Sequence, residues 1–159
     1  MAGTTYTVTQ VRAQTTALSL QEVAQGFTHK FTIKAADLAV AAATGNTDVI
    51  SVTLGAMPAL YKVRNAGINI TTAVAGTTAL TVVVGTTGTT NAFITSQSVL
   101  TAGWLGGVST LPGAPVTATA TTSFVAVFTN ATGGSPSAIT AGSLDIYLAI
   151  DDDRAGLQG

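Results

Sequence analysis

The chain has 159 residues, no cysteine and a formal net charge of -1, and only 8% of its residues are charged, against roughly 25% in ordinary globular domains. Absent cysteine excludes a disulfide framework and thiolate metal sites. The near-neutral balance is too weak to capture a nucleic-acid backbone through counterion release, so Thr and other uncharged polar residues must meet the water.

Residues 1–26 are polar with few packing anchors and read as an N-terminal arm. Within it, residues 6–12 alternate as a strand does, and residues 17–25 could form a short helix or stay extended. The first ten residues have neither a basic segment nor an apolar one, so no export signal is expected. Residues 27–34 alternate next: Phe27, Phe31 and Ile33 share one face, and Lys30, Thr32 and Lys34 share the other. Residues 35–43 read as a helical turn. They are also the longest apolar run, but they contain Asp37 and fall far short of the ~18 residues a membrane span requires. The mean hydropathy of +0.49 therefore implies a weakly charged exterior that associates readily.

Residues 48–54 form a further strand pattern, and residues 59–74 a long one that changes parity. Val63 lies on one face and Ile68 and Ile70 on the other, which places a bulge at Asn65, Ala66 and Gly67 and suggests a strand crossing between sheets. Residues 80–84 follow. Residues 116–129 give the clearest alternation: Val116, Ala118, Ala120, Phe124, Ala126 and Phe128 share a face. In residues 143–150, Leu144, Ile146, Leu148 and Ile150 point one way, and Ser143, Asp145 and Tyr147 the other. Turn signals fall at residues 44–46, 75–76, 85–90, 103–107, 112–115 and 133–136. Seven to eight short strands predict an all-β fold: a single antiparallel β-sandwich of jelly-roll type with an N-terminal extended arm. The division is residues 1–26 as arm, 27–150 as β-sandwich domain and 151–159 as acidic C-terminal tail. An immunoglobulin-like sandwich lacks its cysteine pair, and Trp104 reads as part of a glycine-rich loop.

Reactive chemistry is sparse. His29 is the only histidine and by alternation shares the Phe27 and Phe31 face, as a satisfied, partly buried imidazole. No nucleophile elbow, phosphate loop or paired-histidine zinc motif is present. Asp151, Asp152 and Asp153 could offer oxygens to a hard cation, but consecutive aspartates of an extended chain cannot all face one ion, so they read as a solvated tail. Trp104 reads as a loop residue folded over the core, or as an aromatic anchor for an intersubunit contact or a sugar. Lys30, Lys34, Lys62 and Arg64 would form one patch only if their strands paired. Asn69 and Asn130 begin glycosylation sequons, read as accidental. Thr117, Thr119 and Thr121 make one short ladder without the turn-by-turn recurrence that an ice-binding surface needs. A hydrolase would require two of Glu22, Asp37, Asp48 and Asp145 to meet in a cleft. No catalytic, cofactor-binding or metal-binding residue is assigned, and no enzyme is expected.

The segments FTIKAADL (31–38), NTDVISVTLGAMPA (46–59), VRNAGINITTAVAG (63–76), LTVVVG (80–85) and AGSLDIYLAI (141–150) resemble those of small β-sandwich virion proteins that tailed bacteriophages encode beside their major capsid protein. The resemblance implies a structural virion protein, a capsid decoration or cement protein that binds and stabilises the assembled phage head. Its partners would be the major capsid protein lattice and further copies of itself, possible as a trimer, with no nucleic acid and no membrane. It would reside in the virion after assembly in the bacterial host cytoplasm. The alternative is a phage head-fibre, tail or glycan-binding adhesion module, with Trp104 or Tyr147 as an exposed platform.

Overall fold

A computed structural model describes residues 5–8, 26–40, 49–106, 116–117, 120–130 and 138–152. They form ten strands and one short helix: β1 (Thr5–Val8), β2 (His29–Lys34), α1 (Ala35–Val40), β3 (Val49–Met57), β4 (Tyr61–Ala75), β5 (Leu80–Thr86), β6 (Ile94–Ser98), β7 (Gly103–Gly106), β8 (Val116–Thr117), β9 (Thr122–Asn130) and β10 (Ala141–Asp152). One sheet has the order β1-β3-β9-β5-β6 and the other β2-β10-β4-β7, with β8 also paired to β4. The four-stranded centres are antiparallel. β1 joins β3 in parallel. The expected all-β sandwich is therefore what this sequence forms.

Alternation explains the core. Phe31 and Ile33 of β2, Ile50, Val52 and Leu54 of β3, Val82 and Val84 of β5, Phe124, Ala126 and Phe128 of β9, and Leu144, Ile146 and Leu148 of β10 are all buried in one cluster between the sheets. Each fully buried Val, Leu, Ile or Phe contributes about 1.5–3 kcal/mol. β3 keeps its inward face past Leu54 because the register shifts between Thr53 and Gly55, which turns Met57 inward as well. At the start of α1 the Asp37 carboxylate accepts from the Lys34 backbone N–H at 2.9 Å, tying the helix entry as half of a capping box.

Several expectations are corrected. Residues 116–129 are not one strand: β8 pairs with β4 in one sheet, and β9 lies between β3 and β5 in the other. β4 does change parity, with Val63 and then Ala66, Ile68 and Ile70 buried. The irregularity opposite Ala149 and Ile150 is a bulge, however, and β4 stays in one sheet throughout. Residues 103–106 form β7 and not a loop, so Leu105 packs on the core while Trp104 alternates outward. β6 was not anticipated. Phe27 is not on the Phe31 face. Thr28 breaks the parity ahead of β2, its backbone N–H donating to Leu148 O at 3.0 Å and its hydroxyl accepting from the Ile150 N–H at 2.8 Å. Phe27 then packs on Tyr147 and Ala149, on the opposite side of the sheet. The expected helix or arm at residues 17–25 and the turns at 44–46, 112–115 and 133–136 lie outside the described residues.

Candidate functional site

The register across the β2-β10-β4-β7 sheet assembles two rows on its outer face. Thr32, Asp145, Asn69 and Trp104 lie opposite one another across the four strands, and Lys30, Tyr147, Gly67 and Gly106 form the next row. Directly opposed side chains sit about 4.5–5.5 Å apart at Cβ, so neighbours in the first row are within reach of one another, while the second row has side chains only at Lys30 and Tyr147.

Two features result. In the first, Asp145 is buried and fully engaged. Its carboxylate accepts from the Thr32 hydroxyl at 2.6 Å and from the Tyr147 hydroxyl at 3.4 Å, and pairs with Lys30 Nζ at 3.2 Å. Lys30 also stands 5.4 Å from the centre of the Tyr147 ring. Burial by itself would lower the lysine's pKa. Hydrogen bonds to Asp145 and Tyr147, with their charges, outweigh it and push the value up to about 12.

The second feature is aromatic. Phe27 meets the Trp104 ring edge-on at 5.9 Å, and Tyr147 meets it at 5.1 Å. Phe27 and Tyr147 are 5.4 Å apart. Gly67 makes the seat: a Cβ there would lie 3.1 Å from Trp104 Cζ2 and 3.3 Å from Phe27 Cζ. The glycine in mid-strand is thus a site of close approach, with the bulge lying just before it. Phe27 and Tyr147 are buried by this packing, yet Trp104 remains 42% exposed. The side chain of Asn69, directly opposite Trp104, makes no hydrogen bond among the described residues.

The remaining candidates are scattered. His29 shares the Phe31 face as expected, stacked on that ring at 6.4 Å. It lies at the rim, however, and is exposed, with Nδ1 2.8 Å from the Thr28 hydroxyl. Partial burial lowers its pKa from the ordinary 6.5. The four basic residues do not merge into a patch, because β10 runs between β2 and β4 and brings Asp145 to Lys30 and Asp151 to Arg64. Asp151 and Asp152 belong to β10, opposite Lys62 and Tyr61. Asn130 is fully buried, with its side-chain carbonyl accepting from the Thr77 hydroxyl at 3.3 Å, so the acceptor side chain itself is inaccessible in the folded protein. Asp37 is spent on its helix, while Glu22, Asp48, Asp153 and Thr119 lie outside the described residues. No cluster of three or more metal-ligating His, Asp or Glu occurs among the described residues, and no helix there is long and apolar enough to cross a membrane.

Sequence reasoning singled out Trp104 and Tyr147 but missed Phe27 and Gly67 as their support. The available signal was a glycine inside a strand pattern, which can mark close approach as well as a bulge. Comparison with protein-family models, with curated proteins and with solved structures returned no match.

Proposed function

We propose that this chain is a structural virion protein that decorates an assembled phage head and stabilises it, docking through the outer face of the β1-β3-β9-β5-β6 sheet. One observation carries the reading. No strand of that sheet contains a charged residue, whereas β2, β4 and β10 hold all the charged strand residues described. The outward positions of the uncharged sheet include Ser51, Thr53, Thr81, Val83, Val127 and Thr129, all half-buried already. A face of Thr, Ser and Val can be covered without stripping water from charges, which is costly unless the charges are paired.

The strand orders support the finer fold assignment. Counting β2, β3, β4, β5, β6, β7, β9 and β10 as one to eight, the sheets read 1-8-3-6 and 2-7-4-5. We read this as two Greek keys wrapped into a jelly roll, an arrangement found in viral capsid and lectin domains alike. The fold admits the function without selecting it; the uncharged sheet and the resemblance of the strand segments favour it.

The mechanism is mass action: a subunit that binds only the assembled lattice stabilises that state by about 2.7 kcal/mol per site at a hundredfold excess over its Kd. Heads assembled with and without this chain should be compared by calorimetry. Decorated heads are expected to melt higher, with an increment that grows with added protein. Equal melting temperatures at saturating protein would refute the reading.

A further inference from the structure

We propose that the outer face of the β2-β10-β4-β7 sheet binds a saccharide, with Trp104 stacked on the apolar face of a pyranose ring and the Asn69 amide meeting its hydroxyls. This goes beyond decoration of a head and involves the opposite face of the sandwich.

Three observations point there. First, Trp104 is 42% exposed although held by Phe27, Tyr147 and the Gly67 backbone. A preset ring loses little conformational freedom when a ligand stacks on it. Second, the residue directly opposite is Asn69, whose amide offers two donors and one acceptor and is uncommitted among the described residues. An aromatic plane beside a few placed polar groups is how sites recognise ligands with both an apolar face and a polar edge. Third, the surroundings suit a sugar better than a protein. A large contiguous apolar patch would point to an apolar docking surface, and Trp104 is not set in a row of apolar residues. The neighbours of Trp104 in its row are Asn69, Asp145 and Thr32. Leu60, the other exposed large hydrophobic residue described, precedes Gly67 by seven positions, about 23 Å along an extended chain. The Lys30–Asp145–Thr32 cluster ties β2 to β10 on the same face, two strands from Trp104.

Trp104 is the only tryptophan, so its emission reports on this surface alone. The isolated full-length protein should be titrated with maltohexaose, cellohexaose, chitohexaose and mannohexaose, following emission and heat. At least one is expected to give a saturable change in emission. Trp104→Ala should weaken that binding by at least about tenfold, Asn69→Ala by a smaller factor, and Trp104→Tyr should retain part of it. Because Trp104→Ala uncovers Phe27 and Tyr147, its fold is checked by circular dichroism. Asn69→Ala and Trp104→Tyr keep the test decisive if it unfolds. The proposal is overturned if none of the four sugars changes emission or heat, or if binding survives Trp104→Ala undiminished. It is equally overturned if emission depends on protein concentration without sugar, which would make a second copy the occupant. No particle enters this experiment, so its failure and that of the decoration reading are separate results.

Discussion

Replacing Asp145 by Asn isolates the charge at the centre of the outer-face cluster while keeping its shape. The amide oxygen can still accept from the Thr32 hydroxyl, which stands 2.6 Å away. Lys30, however, loses the carboxylate at 3.2 Å. The interval between the lysine's ordinary 10.5 and its folded value of about 12 corresponds to about 2 kcal/mol. Screening by water at the ammonium trims this to about 1–2 kcal/mol. The sign follows from the direction. A folded value above the unfolded one gives stability that is complete below 10.5 and is lost as pH rises through about 12. Urea unfolding near neutral pH should therefore show Asp145→Asn less stable by about 1–2 kcal/mol with an unchanged m value. The gap between the two proteins should narrow as pH is raised from 10.5 through about 12. In a Lys30→Met background the same substitution should cost less, the difference being the coupling energy. If Asp145→Asn stays within about 0.3 kcal/mol of the parent, or if the gap is independent of pH, the pair behaves as an exposed one and the argument from burial fails.

Other predictions concern the backbone and the rim. Gly76 has φ +93 and a Cβ there would lie 1.8 Å from Ala138 O. Gly76→Ala should cost more than about 3 kcal/mol, visible as a large drop in thermal midpoint or as insoluble expression. Leu60 sits at φ 69, a conformation that costs a non-glycine residue about 1–2 kcal/mol. Leu60→Gly relieves that strain but adds about 0.5–1 kcal/mol of unfolded-chain entropy, so a net gain of about 0.5–1 kcal/mol is expected in urea. Burial lowers the pKa of His29 below 6.5, so the unfolded chain binds the proton first. Stability should fall as pH drops from above 6.5 through the lowered value, and His29→Gln should flatten that slope. A slope unchanged by the substitution would assign it to another group.

The inner faces were legible wherever apolar residues recur at every second position. Leu144, Ile146 and Leu148, or Phe124, Ala126 and Phe128, can bury a row in only one register. β6 and β7 were not legible because they are short edge elements. Ile94 is the one buried residue of β6 and Leu105 the one that packs inward from β7, and a single inward residue makes no pattern. The split between β8 and β9 was hidden for the opposite reason. Thr and Ala keep alternating through residues 117–121, so no glycine or proline marks where the chain changes sheets. Phe27 was misplaced because its face depends on Thr28 bonding to Leu148 and Ile150, residues more than a hundred positions away. The Lys30–Asp145–Thr32 cluster has the same origin. Each of its members is visible in the sequence, but their meeting depends on the β2–β10 register. Trp104 was visible as a candidate, while the reason it stays exposed and fixed lies in Gly67 on a strand it pairs with.

The distribution of charge between the two sheets leads to the sharpest test of docking. On the β2-β10-β4-β7 side, charges are present and two pairs of them meet, Lys30 with Asp145 and Arg64 with Asp151. On the other side it is absent from the strands altogether. A lysine introduced at Val127 would lie between Ser51 and Val83 of the neighbouring strands, on the outward face. The fold should tolerate it, because a lysine stem can cover the neighbouring apolar surface while its ammonium reaches water, at a cost of no more than about 1 kcal/mol. In a contact with a lattice the ammonium has no such route, and an unpaired charge buried there costs about 2–5 kcal/mol. At 1.4 kcal/mol per tenfold, that is a loss of affinity for heads of about thirtyfold or more. Thr72→Lys, at an exposed position of β4 on the other sheet, serves as the control and should bind as the parent does. If Val127→Lys folds normally and decorates heads with undiminished affinity, the uncharged sheet is not the docking face, and scarcity of charge reports only on how this chain is solvated.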